Sequence, residues 1–399
     1  MIRVQQFFGH ILGVILGATI VASGAFAKPV VSDVRIGVHN GATRVVLDLD
    51  GEVAYTIFTL PQPYRVIVDL PEVDWRMNAT PEMRGVIQRF RYGLFQPGMS
   101  RLVLDVATPS VVERAFTLKP TADFGYRLVI DLRAVSAEEF GLQARFTPPP
   151  KPQQPAPTAT LPSPNGGKPL IVVDAGHGGV DPGTTSAAGT REKRLTLLAA
   201  IELKRQLEAS GHYRVLLTRS NDVFVPLADR VAIAHNARAD LFISLHADSM
   251  ANKKMRGASV YTLSEKAYDA ESAALAAREN KSDVLAGIDL VSGAYDAEVT
   301  DILIDLARRE TMEFSAQFSK VLIVELGKST KLLRKTHRFA GFRVLKAPEV
   351  PSVLVELGYL SNREDERALR DPVTRAGLMA AIARAIDRFF VERKSASRS

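Results

Sequence analysis

Three apolar runs in the second half of this 399-residue chain end alike, and that repetition restricts the fold more than any other feature. Leu170-Ile171-Val172-Val173-Asp174 runs into Ala175-Gly176-His177-Gly178-Gly179. Leu241-Phe242-Ile243-Ser244-Leu245 runs into His246-Ala247-Asp248, and Val353-Leu354-Val355 into Glu356-Leu357-Gly358. Short continuous runs of this kind, bounded by small-residue turns, are the pattern of parallel strands buried on both faces. In open α/β sheets, ligands lie outside the carboxyl ends of such strands. A single histidine after a strand is more often a hydrogen-bonded turn residue. Three polar endings on three strands point instead to a shared site.

The stretches between these runs have helical periodicity. Helices are expected at about 193–209, 227–237 and 372–392, and further strands at 213–218, 257–263 and near 342–346. The C-terminal domain, 168–393, is therefore expected to be α/β, a mostly parallel sheet flanked by helices. One region breaks the rhythm. An insertion at about 264–298 is polar and Ala-rich, helical in pattern over Ser264–Asn280, and precedes a long amphipathic helix at about 299–326. A long insertion beside a site is usually functional.

The first half is different. From 28 to 145 it alternates in short runs and contains two matched halves. Arg44-Val45-Val46-Leu47-Asp48 resembles Arg101-Leu102-Val103-Leu104-Asp105, and Arg65-Val66-Ile67-Val68-Asp69 resembles Arg127-Leu128-Val129-Ile130-Asp131. Alternation with Arg and Asp facing outward implies a smaller all-β sandwich. Cross-strand pairing is the simplest reading of those Arg/Asp positions, and a binding face the other. Residues 146–167 hold eight of the 22 prolines and read as a semi-rigid linker.

Composition narrows the chemistry. There are no cysteines, so a metal site here must use His, Asp or Glu. The formal charge of +7 is spread along the chain with no basic block, which argues against a nucleic-acid partner. Residues 1–27, with Arg3, an apolar stretch and small residues at 25 and 27, read as a signal peptide. A periplasmic location follows, with no stable membrane span after cleavage.

Two histidines and a glutamate with one open position make a catalytic zinc set, which His177, Glu192 and His246 would supply. Glu356 would serve as general base and acid, and Asp248 would orient a ligand or join the metal shell. Glu192, at the start of a helix, has an alternative role facing the helix dipole. Val324-Glu325-Leu326-Gly327 nearly copies the Glu356 tetrapeptide in a helical setting, where Glu325 is expected to face solvent. His39, His212, His235 and His337 lack a strand-end setting and read as structural or surface residues.

Together, Val172-Val173-Asp174-Ala175-Gly176-His177-Gly178-Gly179, Glu192, Ser244-Leu245-His246-Ala247-Asp248 and Val355-Glu356-Leu357-Gly358-Tyr359-Leu360-Ser361-Asn362 resemble the zinc-dependent N-acetylmuramoyl-L-alanine amidases of bacterial cell division. The N-terminal repeats resemble the AMIN domain, a wall-binding and septum-targeting module. The resemblance implies Zn2+ on His177, Glu192 and His246, catalysis by Glu356, peptidoglycan as substrate, and daughter-cell separation at the division septum. It also implies autoinhibition by a helix in the insertion, relieved by a LytM-domain activator. Glu271 is the expected zinc cap, ahead of Glu265 and Asp269. Two other readings stand beside this one. A silent wall-binding scaffold would not need all four catalytic positions. A zinc carboxypeptidase would need a cation for the substrate terminus, for which Arg219, Arg230 and Arg256 are candidates.

Overall fold

A computed structural model describes residues 28–143, 167–288, 302–347 and 349–396. The expected signal peptide, nearly all of the linker and the end of the insertion lie outside the described residues. In the N-terminal part, nine strands form two sheets: β1 (Val30–His39), β2 (Ala42–Leu49), β3 (Thr56–Leu60), β4 (Arg65–Pro71), β5 (Asp74–Trp75), β6 (Ile87–Gln96), β7 (Met99–Val106), β8 (Ser110–Leu118) and β9 (Tyr126–Ala134). The order is β5-β1-β2-β9-β8 in sheet A and β3-β4-β7-β6 in sheet B. The inward residues Val45, Leu47, Val66, Val68, Leu102, Leu104, Leu128 and Ile130 are all fully buried and form one core between the sheets.

The sequence halves do not stay apart. Each sheet pairs one Arg…Asp strand from either half, β2 with β9 and β4 with β7. A short helix α1 (Ala137–Gln143) follows.

The second part contains β10 (Leu170–Ala175), α2 (Glu192–Ala209), β11 (Arg214–Leu217), α3 (Leu227–Asn236), β12 (Leu241–His246), β13 (Ala258–Leu263), α4 (Ala270–Glu279), α5 (Ser282–Leu285), α6 (Ile302–Gly327), β14 (Leu332–Ala340), β15 (Ser352–Glu356), α7 (Arg363–Arg370) and α8 (Pro372–Ala396). The sheet order is β11-β10-β12-β15-β13-β14, parallel except between β13 and β15. Alternate residues of the central strands enter two cores. Ile171, Val173, Ile243 and Val353 face α2, α6 and α8, while Val172, Phe242 and Leu354 face Leu227, Leu275 and Phe342. Burial on both sides is why these strands read as unbroken apolar runs.

Three expectations need correction. The segment near 342–346 is a 3-10 turn, Arg343–Leu345, whose Val344 and Leu345 enter the same core as Phe342. The sixth strand is β14, rich in Lys and Arg because it lies at the sheet edge, where charge discourages further pairing. The insertion helix begins at Ala270, six residues later than its periodicity suggests. Asp269 is its N-cap and accepts from Ser272 N at 2.8 Å.

Candidate metal centre and active site

The carboxyl ends of β10, β12 and β15 lie side by side, with Ala175 opposite Leu245 and His246 opposite Glu356. His177 sits just past β10 at φ 61°, an uncommon conformation for a side chain of its size. Two glycines leave room for the two imidazole rings and the Glu192 carboxylate. A Cβ on Gly176 would meet the His246 ring at 2.4 Å, and one on Gly183 would meet His177 Cδ2 at 2.6 Å and Glu192 Oε2 at 2.8 Å.

Ligand atoms of His177, Glu192, His246 and Glu279 lie within 4.8 Å of one another, all buried. His177 Nε2 is 3.2 Å from Glu192 Oε1 and 3.5 Å from Glu279 Oε2. His246 Nδ1 is 3.2 Å and 3.1 Å from the same two oxygens. Backbone N–H groups hold Glu192 in place: Ala247 N donates to Oε1 at 2.8 Å and Thr184 N to Oε2 at 2.9 Å. Its side chain thus points into the cluster, not along its own helix. Asp181, which the sequence reading did not single out, lies 2.8 Å from His177 Nδ1 through Oδ2 and leaves Nε2 directed at the cluster.

The donor set fits a divalent cation. Two neutral-capable imidazoles and carboxylates, without thiolates, suit a hard or borderline metal. His177 Nε2 and Glu356 Oε1 are buried without a hydrogen-bond partner among the described residues, an expensive arrangement unless something else satisfies them. Glu356 is anchored through its other oxygen, which accepts from Asp248 N at 3.0 Å.

Electrostatics agree with the geometry. Burial lowers the His177 imidazole, but Glu192, Asp181 and Glu279 outweigh it and hold the group well above its usual value. Burial works against ionised Glu192, yet the two histidines keep it well below the usual carboxylate range. Burial pushes Glu279 up to about 7. Burial, followed by Glu192, Asp248 and Glu279, raises Glu356 well above the ordinary carboxylate range, as suits a group that gives a proton back.

The remaining sequence candidates fall elsewhere. Asp248 lies one layer out, where its Oδ1 accepts from Thr184 Oγ1 and Ser249 N, and its Oδ2 from Arg278. Glu271 is not at the cluster; its side chain is about half exposed and faces Arg338 at 3.3 Å. The carboxylate that α4 brings there is Glu279, at the opposite end of the helix. The signal was available: Ser272, Leu275, Ala276 and Glu279 share the buried face, and an acidic residue on such a face is anomalous. Glu325 does not face solvent. It is 5% exposed and pairs with Lys328 and Arg384, because α8 covers that side of α6. Arg219 and Arg230 are buried and donate to carbonyls of residues 175–177, and Arg256 faces Glu364 and Asp365.

Comparison with known proteins follows this division of the chain. A family model for N-acetylmuramoyl-L-alanine amidase matches residues 171–388, and one for the AMIN domain matches residues 33–132. The amidase AmiC of Neisseria meningitidis serogroup B is 33% identical over 96% of this chain and 96% of its own. AmiC of Escherichia coli O6:H1 is 33% identical over 90% and 89%. Among solved structures, AmiC2 of Nostoc punctiforme is 28% identical with a TM-score of 0.40, covering 56% of this chain and 98% of that one. On the family models, the two AmiC relatives and the order of its motifs, the chain belongs to the N-acetylmuramoyl-L-alanine amidase family, with an AMIN domain ahead of the catalytic one.

Proposed function

We propose that this protein is a zinc hydrolase that cleaves the amide between N-acetylmuramic acid and the L-alanine of the peptidoglycan stem. The observation that carries the reading is the convergence of His177, Glu192 and His246 beside the unpartnered Oε1 of Glu356. His177, Glu192 and His246 would hold the ion, with Asp181 fixing the His177 ring. When bound, zinc would polarise the scissile carbonyl and favour ionisation of water. Glu356 takes the proton of the attacking water on Oε1 and returns it to the leaving amine of L-alanine. Its raised affinity for a proton suits both halves of that exchange.

Glu279 occupies the position a substrate or water would need, so the enzyme as folded is held inactive, and α4 must move before turnover. A LytM-domain partner is the expected agent of that movement. The N-terminal domain, 28–145, serves wall binding and septal targeting. The signal peptide 1–27 directs export to the periplasm, and 146–167 tethers the amidase domain, 168–393. A carboxypeptidase reading is disfavoured because Arg219, Arg230 and Arg256 are all committed to the scaffold.

The test is Glu356→Gln in the full chain. Zinc content should be unchanged and release of stem peptides from purified sacculi should fall by about 10²-fold or more. Unchanged release removes Glu356 from the reaction, and release of single amino acids would mark a peptidase.

A further inference from the structure

The segment that carries Glu279 is held from two sides. The catalytic domain holds it through polar contacts. Arg278 Nε and Nη2 donate to Asp248 Oδ2 at 2.9 and 2.7 Å, and Ser282 Oγ donates to Asp181 Oδ2 at 2.5 Å. Leu227 N donates to Asp283 Oδ1 at 2.9 Å, and Asn280 bridges Gly341 O and Arg343 N. The second side belongs to the N-terminal domain.

α5 is a single four-residue turn, too short to persist alone, and its carbonyls are only partly satisfied within the turn, Val284 O accepting from Gly287 N at 3.0 Å. Three arginines on the outer face of sheet B meet those carbonyls. Arg65 Nη1 donates to Val284 O at 2.5 Å and Arg91 Nε to Leu285 O at 3.2 Å. Arg101 Nη1 donates to Ala286 O at 3.2 Å and Gly287 O at 3.3 Å. Two of these guanidinium groups are fixed by bidentate pairs within the sheet, Arg101 with Asp69 and Arg91 with Asp105. Positive charge at a helix C-terminus is favourable in its own right.

The seam around these contacts is closely packed. A Cβ on Gly287, which sits at φ 77°, would meet Ile67 Cδ1 at 2.6 Å. Leu94 bridges to Val223, Phe224 N donates to Leu94 O at 3.2 Å, and Phe95 stacks on Phe224 at 6.0 Å. Ala286, Val180 and Phe224 form a small core with Phe95 across the seam.

We propose that the N-terminal domain is a clamp on the inhibitory segment: the arginine face of β4, β6 and β7 holds α5 in place, and α5 in turn keeps Glu279 among the histidines. The proposal rests on Glu279 being the block. Because the polar contacts run to backbone carbonyls, that part of the clamp reads the folded turn and not its side chains. Release of the block then requires sheet B to let go, so whatever engages that face also governs the catalytic site two segments away.

The test uses the full chain carrying Arg65→Gln together with Arg101→Lys, which keeps a charge opposite Asp69. Arg44→Lys makes the same change at the equivalent pair of sheet A, away from the insertion, and serves as control. Hydrogen–deuterium exchange of 270–288 should quicken by about tenfold or more in the double variant and stay unchanged in the control. Basal hydrolysis of purified sacculi should rise in parallel. Should the double variant lose protection in β2 and β9, showing that the sandwich itself is disturbed, Phe95→Ser loosens the same seam through its apolar contacts with Phe224 and Ala286, and quicker exchange of 270–288 is again expected. Unchanged exchange of 270–288 in a variant whose sandwich stays protected overturns the clamp. Quicker exchange with no rise in hydrolysis upholds the clamp and overturns Glu279 as the block.

Discussion

The two sheets of the N-terminal sandwich carry nearly the same outer face, and the molecule uses them differently. In sheet A, Arg44 lies opposite Asp131 and grips it through Nε at 2.7 Å and Nη2 at 2.8 Å. In sheet B, Arg101 lies opposite Asp69 with the same two contacts at 2.6 and 2.7 Å. The neighbouring strand adds a second pair on each face, Arg35 with Asp48 and Arg91 with Asp105. The remaining arginine then diverges. Arg127 stays on its own sheet, 4.9 Å from the Phe124 ring, whereas Arg65 crosses to Val284 O. On sheet A Val46 is half-buried and Val129 is 3% exposed, while their counterparts Val103 and Ile67 on sheet B are both fully buried. A repeated sequence thus produced two equivalent charged faces, and only the docking of the second domain made one of them an interior.

That contrast can be broken in graded steps. The largest effect is expected from cutting one pair on each face. Asp69→Ala leaves Arg101 enclosed without its partner, since both side chains are below a tenth exposed, and should cost about 3 kcal/mol in urea unfolding. Asp131→Ala leaves Arg44 and Arg114, which are about a quarter and more than half exposed, able to recover water, and should cost only about 1–2 kcal/mol. Equal losses would show that the covered face gains nothing from its burial. An effect of similar size is expected at the apolar centres. Ile67→Ala should lose about 2–4 kcal/mol because Phe58, Leu60 and Val103 enclose it, whereas Val46→Ala, half-buried on the open face, should lose about 1 kcal/mol or less.

The smallest effect concerns acid. The hydrogen bond from Arg44, opposed by burial, holds the Asp131 carboxyl below its usual value. A carboxyl depressed in the folded state adds stability that is present above its unfolded value of about 3.9 and is lost as pH falls through the lower folded value. Unfolding midpoints should therefore decline below about pH 4, and Asp131→Asn should flatten that decline. An unchanged acid limb in this variant would mean that Asp131 is not the group responsible.

Much of the site was legible because its carriers are strand ends. His177, His246 and Glu356 follow apolar runs that can only be buried strands, and parallel strands in one sheet bring their carboxyl ends together. Glu192 was legible through its place ahead of a helix, though not the two backbone N–H groups that turn it inward. Asp181 and Glu279 were missed for different reasons. Asp181 lies in an irregular loop, where no periodicity marks direction. Glu279 sits at the far end of a helix whose N-terminus is also acidic, with Asp269 at the N-cap and Glu271 in the first turn. β14 was missed because an edge strand needs no apolar alternation.

By itself the sequence determined two folds and three of the four side chains of the buried cluster, His177, Glu192 and His246, because strand burial, turn chemistry and residue type are local properties of the chain. It also determined that the sandwich would carry matched arginine–aspartate pairs, since register sets those partners. Only the tertiary structure decided which acidic side chain closes the cluster, and which of two equivalent faces is covered. Both depend on how the insertion packs between the domains, and a surface meeting another surface is governed by shape and desolvation summed over distant residues, which no window of neighbouring residues contains.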